Sequence, residues 1–343
     1  MLIKLSVVDK IKDQIAFSMK LKIPFFLLCF ISALQLKAQH YFYNDEYYDN
    51  DLVVEAGISM GPMNSLTDIG GRKGRGKTGA KDLNINSTTF SGGIYFNALY
   101  KHFLGLRIEG TSGKVQSKDS LLEGVKATAI GRYNRNLSFR TQINEVSAIA
   151  EFHPVDFFRM FNPESPVSSF SPYIMGGVGY FHFNPQARLF NEWVDLHPLH
   201  TEGEGFEEYP DRQEYSLNQF NLSYGLGLAY ELSPKINLRI EYISRVLFTD
   251  YLDDVHDTYI NPALFSKYLT ANQLTQALLL NNRGRPDALP EETTARPGSI
   301  RGNPLDNDSY FSINFKVGYI IGRQKISSGN RHYRNQYRSP LRF

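Results

Sequence analysis

Three things are scarce in this 343-residue chain: cysteine, tryptophan and net charge. The one cysteine, Cys29, sits inside an N-terminal apolar run and follows Leu28, which is not the small residue a lipid-attachment site requires. Once that run is removed the chain holds no thiol, so disulfide staples are excluded. A formal net charge of +2 makes no electrostatic case for nucleic acid as a partner. Downstream of the N-terminal run there is also no apolar stretch of the ~20 residues that a membrane-spanning helix needs.

What is abundant is aromatic. Tyrosine (21) and phenylalanine (24) bring the aromatic share to 13%, a composition that favours strands over helices. From Met19 the chain reads "MKLKIPFFLLCFISALQLKAQ", with Lys20 and Lys22 as a positive region, Ile23 to Leu34 as an apolar one, and Ala38 as a small residue before Gln39. This is the pattern of a secretory signal peptide over residues 1–38, with Met19 as an alternative start. It leaves a periplasmic segment at 39–51, a barrel at 52–322 and a basic tail at 323–343.

Within 52–322 the dominant signal is two-residue alternation. Leu52, Val54, Ala56, Ile58 and Met60 oppose Glu55, Gly57 and Ser59, and the same rhythm runs through Phe90–Tyr100, Leu104–Ile108, Val146–Phe152, Phe220–Tyr230, Ile236–Tyr242 and Phe311–Ile321. "SPYIMGGVGYFHF" is a further, glycine-rich strand whose faces do not separate by eye. About eight strands result, many near the ~10 residues of a membrane strand. Alternation alone does not distinguish a membrane barrel, apolar outside, from a soluble one, apolar inside.

The connections say more. Tyr100–His102 and Glu231–Lys235 are tight, whereas 61–88, 113–142, 184–216 and 249–308 are long. Alternating short and long connections predict an up-and-down antiparallel transmembrane β-barrel in the outer membrane, with short periplasmic turns and long extracellular loops. The intermediate connection His153 to Ser171 reads either as a docking surface or as a loose turn. Arg107, Glu109, Glu145, Glu151, Arg239, Glu241 and Lys316 fall on the polar face, where they would line and plug a lumen too narrow for a channel. Tyr100, Tyr230, Tyr242 and Tyr319 sit toward strand ends, as an interfacial girdle would.

Other motifs dissolve in context. "GRKGRGKTG" satisfies a phosphate-loop pattern through Gly71, Gly76, Lys77 and Thr78, but no buried strand precedes it and no helix follows, so nucleotide binding is not expected. Asp250, Asp253, Asp254 and Asp257 could attract a hard cation, yet lack the spacing and glycine of an EF-hand, and read rather as a solvated acidic strand end. His197 and His200 lack further zinc ligands at recognisable spacing. No catalytic constellation is visible, so neither enzymatic activity nor a cofactor is expected. Leu269, Leu274, Ala277 and Leu278 predict a short helix in the last long loop, covering the barrel mouth or meeting a partner. After Asp308 there is no acidic residue, and the tail carries Arg331, Arg334 and Arg338 as candidate contacts for an acidic protein or lipid headgroups.

Several blocks, "RYNRNLSFR" (132–140), "SPYIMGGVGYFHFNPQA" (171–187), "PLHTEGEG" (198–205), "YSLNQFNLSYGLGLAYELS" (215–233) and "FTDYLDDVHDTY" (248–259), occur in an order that resembles the PorG family of Bacteroidota. The resemblance spans Leu52 to Ile321 and is weakest in the first outer loop and the tail. It implies an outer-membrane accessory of the type IX secretion system, associated with a periplasmic ring formed by a lipoprotein and its partner. That machine also supports gliding motility in some members of the phylum. The resemblance brings no catalytic residues. An adhesion or ligand-binding barrel acting through its outer loops is the alternative.

Overall fold

The computed structural model describes residues 47–48, 51–70, 85–123, 130–161, 170–285, 296–322 and 324–325. The expected signal peptide, the Gly71–Thr78 pattern and Arg331, Arg334 and Arg338 lie outside them. The barrel belongs to the unit Tyr48–Lys325.

Eight long strands follow one another: β1 (Leu52–Leu66), β2 (Thr89–Tyr100), β3 (Leu104–Lys118), β4 (Ser138–Phe152), β5 (Phe170–Leu189), β6 (Asn218–Ser233), β7 (Ile236–Leu247) and β8 (Ser309–Ile321). Each pairs antiparallel with its neighbours in sequence, and β8 returns to β1 with Ile321 opposite Val54, so no edge is left open. The tight β2–β3 turn works because Lys101 and His102 adopt φ of 48° and 64°, the left-handed geometry that matches the twist of a hairpin.

Several strands are longer than the alternation suggested. β5 has 20 residues and β1, β3 and β4 have 15 each, against the ~9–11 needed to cross the membrane. Their excess lies on the long-loop side, and there the pattern inverts. On β3, Leu104, Leu106 and Ile108 point outward and are exposed, whereas further along Val115 points inward and is buried. On β5, Ile174, Val178 and Tyr180 face out and Phe181 and Phe183 face in. On β4, Val146 faces out and Ile143 and Phe139 face in. The lower barrel is therefore apolar outside and polar inside, and the upper barrel the reverse. The apolar outer belt marks the bilayer. Above it Val115, Phe139, Ile143, Phe181, Phe183, Leu247 and Tyr310 form a core of the kind a water-soluble barrel has, joined by Leu252 and Val255 from the last loop. Both readings of the alternation hold, at different heights of one barrel.

The predicted helix in the last loop spans Ala271–Asn281 and starts at a capping box between Thr270 and Gln273. It covers a second core of Leu196, Leu199, Phe206, Ile260 and Phe265, using Ala277 and Leu280. Leu278, expected on its apolar stripe, is instead half exposed, because the helix turns Leu280 and Asn281 to the cap.

Candidate functional site

All seven charged residues expected in the lumen point inward and are buried, and two more join them: Glu55 on β1 and Arg245 near the end of β7. Five carboxylates (Glu55, Glu109, Glu145, Glu151 and Glu241) thus meet four cations (Arg107, Arg239, Arg245 and Lys316). Arg107 reaches Glu241 at 2.5 Å, Glu151 at 2.7 Å and Glu109 at 3.2 Å. Lys316 holds Glu109 at 2.5 Å and Glu241 at 2.9 Å. Arg239 spans Glu55 at 2.8 Å and Glu151 at 2.9 Å. One tier higher, Arg245 pairs with Glu145 at 3.0 Å and donates to Ser312 Oγ at 2.7 Å. Tyr95 and Tyr173 donate their hydroxyls to Glu55 and Glu241. Room for this comes from facing glycines. A Cβ on Gly227 would lie 2.7 Å from ring atom Cε2 of Tyr173.

Such a net is stable because every ion faces an opposite one, as a buried charge requires. Tyr95, Tyr173, Asn97 and Asn237 donate further hydrogen bonds to its carboxylates, while Glu109 Oε1 is left without a hydrogen-bond donor among the described residues. It also closes the lumen, as an eight-stranded barrel has room for side chains and little else.

Above the net, the loops form a folded cap. Here the acidic stretch corrects the expectation of a solvated strand end: Asp250, Asp253 and Asp254 are all buried. They are acceptors for loop backbone and side chains. Asp253 takes the N–H groups of Ile69 (2.9 Å) and Val255 (3.1 Å). Asp254 accepts from Thr201 Oγ1 (2.6 Å) and the Tyr215 hydroxyl (2.7 Å), and Asp250 Oδ2 lies 2.9 Å from His256 Nδ1. Glu202 and Arg301, which the sequence did not single out, pair at 2.8 Å beneath the cap, and Glu202 also accepts from Asp257 N at 2.8 Å. Among the described residues no group of three or more His, Cys, Asp or Glu is placed to hold a metal ion. His197 Nε2 lies 2.9 Å from the Tyr215 carbonyl, a loop contact.

At the periplasmic end Tyr100 and Tyr319 are exposed on the outer wall and the Tyr230 ring lies 4.7 Å from that of Phe170. Tyr242, expected there too, is exposed on the outer wall but sits at mid-strand, 5.7 Å from Phe311 and so nearer the long-loop side. The His153–Ser171 connection opens with a short helix, Pro154–Arg159, tied back by Ser171 to Asp156 at 2.5 Å.

A closed barrel with an apolar belt outside and an ion-paired, filled lumen inside defines a small outer-membrane β-barrel protein that spans the membrane with strands; no helix among the described residues is long and apolar enough to do so. The family model described as Domain of unknown function (DUF6089) matches residues 46–262, and the chain belongs to that family. No curated protein matches the sequence. Among solved structures it is similar to Ail, the attachment invasion locus protein of Yersinia pestis (11% identity, 78% of this chain and 99% of that one, TM-score 0.31). It is also similar to Neisserial surface protein A (8%, 79% and 97%, 0.32) and to a major outer membrane protein from Thermus thermophilus (12%, 78% and 99%, 0.32).

Proposed function

We propose that this barrel is a non-enzymatic component of type IX protein secretion that anchors or assembles the periplasmic ring complex at the outer membrane. The observation that carries the reading is the closed lumen: with Arg107, Arg239 and Lys316 locked among carboxylates, the barrel offers surfaces rather than a conduit. The ordered sequence blocks that resemble the PorG family direct those surfaces toward the ring lipoprotein and its periplasmic partner. The basic tail, with Arg331, Arg334 and Arg338, and the His153–Ser171 connection are the proposed contacts, and outer-membrane lipid surrounds the wall. Neither nucleotide nor nucleic acid takes part.

The test is to tag the protein in its native host, solubilise the outer membrane in mild detergent and identify what co-purifies. Recovery of both ring proteins is expected, together with unsecreted cargo in a clean deletion strain. Recovery of the barrel alone from membranes with an intact ring would overturn the anchor.

One observation favours a second reading, adhesion or ligand binding through the outer loops. The cap surface holds a polar cavity of about 480 Å³ lined by Tyr209, Arg212, Tyr251, His256 and Asp257. Under this reading outer-loop deletions abolish the phenotype and tail deletions do not.

A further inference from the structure

The helix Pro154–Arg159 and the turn after it leave Val155, Phe158, Met160 and Phe161 exposed at 42%, 67%, 47% and 69%. A cluster this apolar is not left to water without a reason. Its inner side is the clue. Phe157 packs on Phe103 at 5.3 Å and on Phe152 at 5.5 Å. Phe152 is the last residue of the outward row Val146, Ala148, Ala150, Phe152 on β4, directly opposite Leu104 at the foot of β3. The helix therefore lies against the outside of the barrel foot, and Phe158 and Phe161, 5.7 Å and 5.4 Å from Phe157, continue the lipid-facing wall outward.

The polar groups fit the same height. Asp156 and Arg159 pair at 3.1 Å, so the helix brings no unmatched carboxylate to the membrane. Lys101, exposed on the neighbouring β2–β3 turn, offers a cation where headgroup phosphates lie.

From this continuity the structure assigns Val155, Phe158, Met160 and Phe161 to the periplasmic leaflet of the outer membrane, as an interfacial anchor seated at the boundary of headgroups and acyl chains. The partner is phospholipid, so these four residues are excluded from the protein contacts proposed above, and the tail and the remainder of the His153–Ser171 connection are left to engage the ring. Aromatic residues on a short amphipathic segment suit that boundary, where an apolar body enters the chains and a polar edge stays wet.

The experiment uses the full barrel folded into phosphatidylethanolamine–phosphatidylglycerol vesicles. The chain has one tryptophan, so Trp193→Phe gives a silent background. Into it go Phe158→Trp and, separately, Phe161→Trp, with Phe190→Trp on an outer turn, 84% exposed, as the aqueous reference. Folding of each is verified by its heat-dependent gel mobility, and two lipid-facing variants keep the test valid if one fails to fold. Expected are blue-shifted emission and loss of fluorescence with phospholipids brominated near the glycerol end of their chains, with little loss to acrylamide. Emission and acrylamide quenching like those of the Phe190→Trp reference would overturn the assignment. So would a shift to dry emission only after a periplasmic extract is added, because the face would then belong to a protein.

Discussion

Arg239 stands on β7 and holds carboxylates from two other strands, Glu55 of β1 and Glu151 of β4. Glu55 has no other cationic partner among the described residues, whereas Glu151 also meets Arg107. Losing one member of a buried pair costs more than the pair contributes, since the abandoned charge stays buried. Arg239→Met is expected to lower barrel stability by about 3–5 kcal/mol, read as the urea midpoint in vesicle-folded protein. Adding Glu55→Gln should recover a large part, because the orphan then becomes a neutral side chain with Tyr95 and Asn237 still in reach. A double variant no better than the single would show that the arginine acts through packing rather than charge. Residues of this kind could be read from clean alternation, as Arg239 and Glu151 were, and Glu55 stands on equally clean alternation but was not singled out among the lumen charges. Arg245 was missed because the apolar signal of β7 ends at Tyr242, although the strand continues to Leu247 inside the upper core.

At the scale of elements, the lower strands could be read from sequence and the upper halves could not, for one physical reason. The outward residues are apolar only where lipid touches them, so above the belt the apolar parity moves to the inward face. The shift is written in the sequence, as in Val178 and Tyr180 against Phe181 and Phe183, but a single-period reading takes it for the end of the strand. The cap was illegible for a different reason: its order rests on buried carboxylates that gather loop N–H groups from far apart in sequence. Burial raises these groups. Glu204, with Asp254 and Glu202 nearby, is pushed up to about 8. Asp254 is pushed up to about 6 despite Arg301, and Asp250, beside Asp253 and Asp68, to about 10. In opened loops the same groups titrate near about 4, so the closed cap binds more protons than the open one. Cap stability is then full below about pH 4 and is lost as pH rises through the folded values. Amide exchange of residues 197–216 and 249–261, corrected for intrinsic rates, should be slower at pH 5.5 than at pH 8.5, and Glu204→Gln should flatten part of that difference. Faster opening at the lower pH would mean that these carboxylates are charged in the closed cap.

For the whole molecule, the two tiers of filling have a consequence for transport. A barrel of eight strands is just wide enough inside for side chains, and here the membrane tier holds the ion net while the upper tier holds an apolar core beneath a helix-bearing cap. Ions crossing the wall would have to part Arg107 from Glu241 and Glu151, and Lys316 from Glu109, separating charges that are buried and paired. The protein in a planar bilayer is therefore expected to show no resolved conductance steps. The informative variant removes the cap helix, residues 271–281, and leaves the strands alone. If the ion net is the seal, this variant stays silent as well, and steps emerge only when the net itself is cut, as in Arg107→Ser with Glu241→Ser. If deleting the helix alone opens a conductance, the cap is the gate, the net is permeable, and the barrel is a candidate conduit rather than an anchor.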